Sequence, residues 1–412
     1  MYLARLLLTC STVACLVRST LGKQAASGRH IGLFTNTGPY SHDAMMYQLA
    51  EKLANNGHKV TVIQIRASAL LHKIQTQIWH STVPFGDDRP NLKSLTLFLK
   101  ILDFQTDGCE AALRHEPFVR RIKALDLDLL VMDFLLNECA LGMSLMLNVP
   151  RVYLSNYPMT DTYMDYFGIP SNPAYLPTTV TKLTSPMDFV RRMLNCVCRL
   201  ILSYVRGIIM AKSEKLYRRL GYKLQRYAPE EKRTILYATP SEFLLDSPRP
   251  LTHTVKYFGC SNCMLKRLYN VATRKGVILV SFGTIPNAHY LPERIISVFR
   301  SVFANLQEYS VLLQLPDIQK IAMNMTSNVV VANWIPLQEL LGDPSVKLFI
   351  THGGIGSVIE AITNAVPILG IPLQGDQVYN LGRLIEKGIA DVIYIPELSF
   401  MHDNCQLSVR NI

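Results

Sequence analysis

The stretch 334-WIPLQELLGDPSVKLFITHGGIGSVIEAITNAVPILGIPLQGDQ-377 decides how this chain folds. KLFIT is a short buried-type strand and His352-Gly353-Gly354 a tight turn; Gly356 to Val366 then has helical spacing, and PILGIP reads as the next strand. A further helix follows from Val378 to Ala390. Strand and helix alternating at this length imply βαβ units on a parallel sheet. Upstream, VILVSFGT at 277–284, a helix over 292–309, SVLLQLP at 310–316 and VVVANW at 329–334 extend the pattern.

The first half repeats it. HIGLFTNT at 30–37 is a strand and Gly38-Pro39 a turn, followed by a helix over His42–Asn55 with Met45, Met46, Leu49 and Leu53 on one face. Asn56-Gly57 ends that helix before HKVTVIQI at 58–65. LDLLVMD at 127–133, a helix to Leu147 and VPRVYLS at 149–155 continue the sheet, and 161–177, rich in Pro, Tyr and Asn, reads as an irregular loop lining a cleft or covering an edge. The expected fold class is α/β, with two Rossmann-like domains whose ligand crevices lie at the carboxyl ends of their strands. Boundaries are drawn at 24–250 and 251–412, after a signal peptide over 1–23 whose apolar run Leu6–Val17 is too short to span a bilayer.

Composition narrows the class. With 412 residues, 49% hydrophobic and 18% charged, the chain is long enough for two cores and unlike a disordered one. The net charge of +11 is scattered, which argues against a nucleic-acid surface. Its densest basic run, Arg191 to Arg219, interleaves with Leu, Ile, Val and Met; it reads as a helix with one packed and one solvated face, or as a basic helix lying on a membrane surface. Seven cysteines follow the leader and are read as structural or disulfide-bonded, with at least one unpaired; Cys260-x-x-Cys263 has no second ligand pair at zinc spacing. Asn324-Met325-Thr326 is a glycosylation sequon, consistent with a lumenal route.

Several residue types gather at successive strand ends. His352 with Gly354, Gly356 and Ser357 opens a helix whose N-terminal N–H groups suit a diphosphate. Glu360, one turn further, can accept from ribose hydroxyls, and Asp376 and Gln377 suit the vicinal hydroxyls of a hexose. Trp334 can stack on a base. Taken singly these are a turn, a solvated charge, a helix cap and a core ring; together they point to a nucleotide-sugar site.

The segment resembles the donor-binding signature of the UDP-glycosyltransferase family, which includes the UDP-glucuronosyltransferases; Trp334, His352, Ser357, Glu360, Asp376 and Gln377 fall at matching spacing. The resemblance extends upstream through Ser281, Phe282, Gly283 and Thr284, which it places beside the donor phosphates, and back to the first βαβ unit. It implies two domains facing across a cleft (the GT-B architecture) and inverting transfer of glucose or glucuronate from a UDP-sugar to a hydroxyl of a small lipophilic acceptor. No metal or other cofactor is implied. One place departs: where the family has Gln after Trp-x-Pro, this chain has Leu337, with Gln338 one later.

An alcohol needs a base before it attacks. His42 in GPYSH and Asp133 at the end of a neighbouring strand match the family's base and its acidic partner. Asp126-Leu127-Asp128 spells D-x-D but precedes its strand, so it reads as structural. The alternatives are a catalytically weak or silent UDP-sugar-binding homologue and a UDP-sugar epimerase. Animal members of the family continue past this point into a membrane anchor, so the chain is read as a fragment, a splice product or a soluble form. The expected location is the secretory pathway, in the endoplasmic reticulum lumen, at its membrane or secreted. Expected partners are the UDP-sugar, the acceptor, a membrane surface at 191–219 and a second copy of the chain.

Overall fold

A computed structural model of the chain describes residues 28–35, 40–66, 106–135, 137–159, 161–179, 181–242, 245–259, 275–284, 291–315, 325–373 and 375–395, with short pieces at 7–10, 13–20, 85–86 and 89–90 and single residues 286 and 397. Cys260, Cys263, Cys405 and Asn324 lie outside them.

The first sheet has eight strands in the order β1-β2-β4-β3-β5-β6-β7-β8, where β1 is Leu7–Cys10, β2 Val13–Thr20, β3 His30–Phe34, β4 Lys59–Arg66, β5 Leu129–Met132, β6 Arg151–Leu154, β7 Leu236–Pro240 and β8 Val255–Phe258. From β4 to β8 every pairing is parallel. β1 and β2, within the segment read as a leader, form an antiparallel hairpin on the β4 edge. Because β8 pairs with β7, the connection between the two sheets comes after Phe258 and not at 250–251. The Pro-rich composition before β8 resembles a linker, but its strand is recruited by the open edge of β7.

Helix α1, Tyr40–Asn55, crosses from β3 to β4 and buries Met46, Ala50 and Ala54 on Ile31, Leu33, Val60 and Val62. Gly57, at φ +86°, makes the turn back into the sheet, a conformation that suits glycine. Helix α2, Glu138–Leu147, ends on Asn148 at φ 52°, one of the few residues that take this cap other than glycine. Residues 161–177 differ from the loop expected: Asp161–Phe167 is a helix. Its Phe167 ring stacks on Tyr237 at 4.0 Å, and Tyr163 lies 5.0 Å from Phe134, so burial of aromatic surface overrides a turn-rich composition.

The second sheet is all parallel, in the order β11-β10-β9-β12-β13-β14, with β9 Gly276–Ser281, β10 Tyr309–Gln314, β11 Val329–Ala332, β12 Val346–Thr351, β13 Ile368–Gly370 and β14 Ala390–Val392. This is the doubly wound order, whose direction reverses between β9 and β12. Alternate residues of β9 serve two cores: Ile278 and Val280 pack with Ile295, Phe299 and Phe303 of helix α4, Glu293–Ala304, and Val277 and Leu279 pack with Val358 and Leu381 on the other face.

Helix α3, Phe189–Arg219, inverts the usual arrangement over its N-terminal half. Up to Arg206 its inner face carries polar contacts: the Asn195 amide caps the carbonyls of Pro173 and Leu176, Arg199 pairs with Asp165, and Arg206 holds Glu138 at 2.7 Å. Its outer face is apolar, with Phe189 78%, Leu200 71% and Tyr204 72% exposed alongside Val190, Met193, Leu194, Val197, Ile201 and Ile208. Over the C-terminal half the expected arrangement holds: Met210, Leu216 and Tyr217 are buried in the first core while Lys212, Lys215, Arg218 and Arg219 are exposed. The helix also contains an 18-residue window of mean hydropathy 1.5, long and apolar enough to cross a membrane by composition alone.

Candidate active site

The carboxyl ends of both sheets face one cavity of about 580 Å³. From the first half it is lined by His42, Met45, Leu135, Asn156 and Tyr157 among others, and from the second by Ser281, Gly283, Thr284, Trp334, Gln338, His352, Gly354, Gly356, Ser357, Glu360, Asp376 and Gln377. Asp133 stands directly behind His42.

At one end β12 turns through His352-Gly353-Gly354 into helix α5, Ile355–Thr363. Its N-cap, Gly354, has no side chain to compete for the first-turn N–H groups, which with the helix dipole favour an anion. Gly353 sits at φ +86°. A Cβ on Gly354 would lie 2.6 Å from His352 Nε2, and one on Gly283 2.9 Å from it, so the imidazole is wedged between two bare backbones. Burial pulls His352 down to about 4, against a backbone contact from Ser281 that raises it, and the ring is therefore neutral at pH 7. Ser281 donates its hydroxyl to Gln314 Oε1 at 2.8 Å. Trp334 is 61% exposed, so it is no core ring but an open platform. Leu337 packs on the second-sheet core while also reaching the cavity wall beside Gln338.

At the other end Asp376 opens helix α6, Gln377–Glu386, without capping it. Its Oδ2 instead accepts from Asn380 Nδ2 at 2.7 Å. Burial raises Asp376 to about 6, against the opposing contacts of Asn380, His42 and Arg383. Gln377 is buried, and its Oε1 accepts from the Leu373 N–H at 2.7 Å, which turns its NH₂ end away from that bond. Glu360 is half-buried on α5 and raised to about 7 by burial.

Between the two ends lies His42, in the first turn of α1. Its Nδ1 is hydrogen-bonded to Asp133 Oδ2, and both residues are buried. Asp133 Oδ1 accepts from the Ser155 hydroxyl and, at 2.9 Å, from the Leu135 N–H. An acceptor-only carboxylate places the ring proton on Nδ1 and leaves the Nε2 lone pair for the cavity. Burial disfavours the imidazolium, but contact with Asp133, with Asp376 and Asp43 farther off, outweighs it and raises the His42 pKa above its ordinary value. Asp128 of the D-x-D accepts from the His30 N–H at 2.7 Å and from Arg29, at the amino end of β5 and away from this cavity.

Three participants are not expected from sequence although their positions are readable. Ser155 ends the strand next to Asp133's, Gln314 is the register partner of Ser281 across β9 and β10, and Asn380 lies one helical turn past Asp376.

A family model described as "UDP-glucoronosyl and UDP-glucosyl transferase" matches residues 33–403. The chain belongs to this family. Among its relatives, mouse UDP-glucuronosyltransferase 1-2 is 23% identical over 72% of this chain, and the match spans 56% of the mouse protein's length. UDP-glucosyltransferase 2 of Dactylopius coccus is 26% identical over 90% of this chain and 75% of its own. The fold of this family member is shared by solved glycosyltransferases: a spinosyn rhamnosyltransferase (TM-score 0.57, 15% identity, 91% of this chain and 89% of that one) and the kitacinnamycin glycosyltransferase (TM-score 0.55, 19% identity, 92% and 90%). The two Rossmann-like sheets facing one cavity thus have the GT-B architecture of those solved glycosyltransferases.

Proposed function

We propose that the chain transfers a hexose or hexuronate, glucose or glucuronate, from a UDP-sugar to a hydroxyl of a small lipophilic acceptor with inversion. The observation that carries this is the His42–Asp133 pair, set in the same cavity as the α5 N-terminus and Asp376. His42 Nε2 takes the acceptor proton as the hydroxyl oxygen bonds to the anomeric carbon. The bond from that carbon to the diphosphate oxygen breaks, and UDP leaves with the electron pair. Asp133 stabilises the imidazolium, while the α5 N–H groups, the His352 N–H and Ser281 to Thr284 receive the diphosphate charge. Asp376 and Gln377 hold the hexose, Glu360 the ribose, and Trp334 with Gln338 the uracil. Met45, Leu135, Tyr157 and Phe258 near His42 supply an apolar wall for the acceptor.

Incubating the protein with labelled UDP-glucose or UDP-glucuronate and a panel of phenols tests this directly. Glycoside of inverted configuration, lost in His42→Ala, is the expected result; UDP-sugar that binds but yields no glycoside refutes it. Product formed without any acceptor would make the protein an epimerase.

The reading also places the protein in the secretory pathway, against a lipid leaflet. The Cys109–Cys139 disulfide supports an oxidising compartment. The outward apolar face of α3, with Arg191, Lys212, Lys215 and Arg218 on the same helix, has the chemistry of a helix lying in an anionic bilayer surface. Its inner ion pairs with Glu138 and Asp165 bind it to the protein along its length, so it lies on the leaflet and does not cross. Flotation with phosphatidylserine vesicles, abolished by Leu200→Glu with Tyr204→Glu, is the expected outcome; a double variant that floats like the parent refutes it.

A further inference from the structure

We infer that Arg383 and Asn380 are positioning residues that set the sugar-binding carboxylate Asp376 by locking it to the first half of the chain; this rests on the transferase reading above. Neither residue belongs to the cavity wall, so neither touches substrate. Both are buried on α6 behind Asp376.

The geometry fixes each orientation in turn. The Arg383 fork reaches Asp246 Oδ1 with Nη1 at 3.0 Å and Asn380 Oδ1 with Nη2 at 3.1 Å. A planar guanidinium makes both bonds in one orientation only. Because Asn380 Oδ1 accepts from Arg383, its NH₂ must face the other way, where it donates to Asp376 Oδ2 at 2.7 Å and to the Gly353 carbonyl at 3.0 Å. One amide therefore holds both the sugar carboxylate and the His352-Gly353-Gly354 turn.

The far end of this chain of bonds belongs to the first half. Asp246, between β7 and β8, accepts from Arg249 Nη2 at 2.6 Å and from Tyr257 OH at 2.9 Å as well as from Arg383. Arg249 Nη2 also reaches Tyr379 OH of α6 at 2.9 Å, and its Nη1 donates to the Met159 carbonyl at 3.0 Å. Met159 ends the loop that carries Asn156 and Tyr157 into the cavity. The acceptor-side loop and the donor-side carboxylate are thereby tied through one buried charged cluster. Burying two arginines with one carboxylate stabilises a fold no better than apolar packing of the same volume would.

The test uses the intact chain, with UDP binding by calorimetry and transfer from UDP-glucose at saturating acceptor. Arg383→Lys keeps the charge and loses the fork. It is expected to lower kcat about a hundredfold, the size of a misplaced reacting group, while UDP affinity stays within about threefold. Asn380→Ala is expected to give a similar loss, and the double variant to fall no further than the worse single one, since Arg383 acts through Asn380. Folded variants that keep their kcat, losses that add in the double variant, or UDP affinity falling in step with kcat would each overturn the inference. Should Arg383→Lys not fold, Asn380→Ala, which removes no charge, decides by the same comparison of kcat with UDP affinity. If the parent binds UDP but transfers to no acceptor, it is the transferase reading that fails; Asn380→Ala then tests the inference by weakening UDP-glucose binding more than UDP binding, and equal weakening overturns it.

Discussion

Replacing Asp133 by Asn separates the charge of the His42 partner from its shape. Asp133 Oδ1 already accepts two donors, the Ser155 hydroxyl and the Leu135 N–H, so the amide oxygen of Asn must take that place. Its NH₂ then faces His42 Nδ1, which can only accept; the ring proton moves to Nε2 and the base is lost. Electrostatics acts in the same direction. Two opposite unit charges about 4 Å apart at an effective dielectric of about 20 interact by about 4 kcal/mol, which is about a thousandfold in rate. With the tautomer also wrong, kcat should fall by about 10³ to 10⁴ while donor KM stays within about threefold. The pH profile carries a second signature. In the parent the folded pKa of His42 lies above its ordinary value of 6.5, and the base must be deprotonated, so kcat/KM should fall as pH drops through a point above 6.5. In Asp133→Asn the raising contact is gone and burial, which lowers the pKa, dominates; the acid limb should move below 6.5. Initial rates with UDP-glucose and a phenol across pH 5 to about 9 read both effects. A folded Asp133→Asn that loses less than about tenfold, or whose acid limb stays in place, refutes the assignment.

Other expectations follow from single features. Trp334→Ala should weaken UDP binding about tenfold, the worth of one stacked ring, with Tm unchanged because the side chain is largely exposed; calorimetry and a thermal scan check both. Glu360→Gln should raise the Tm of the ligand-free protein by about 2–5 °C at pH 8 and by much less at pH 5: burial raises Glu360 from its ordinary 4.5 to about 7, so its penalty grows as pH rises between those two values and is complete above the upper one. Removing the Cys109–Cys139 bridge, which closes a sequence separation of 30, should cost about 3.5 kcal/mol in urea unfolding of Cys109→Ala/Cys139→Ala.

Local sequence determined the strand–helix alternation, because period-2 and period-3.6 burial leave their mark in the order of residues. It also marked the turns, through Asn56-Gly57 and His352-Gly353-Gly354, and the residues that line the cavity, because in a parallel α/β fold the carboxyl end of each strand is known once the strand is. Position along the chain says nothing about what a side chain meets from another strand. The Ser155–Asp133 bond, the Arg383 fork and the exposure of Trp334 depend on contacts between segments 22 to 137 residues apart or on the final packing. The same holds for α3, whose composition alone suits a packed apolar face. Over its N-terminal half, the docking of Asn195, Arg199 and Arg206 onto fixed partners leaves the apolar residues outward, while Met210, Leu216 and Tyr217 further on pack as composition suggests. In both cases the deciding free energy is the pairing of buried polar groups, which is non-local and has no period to read.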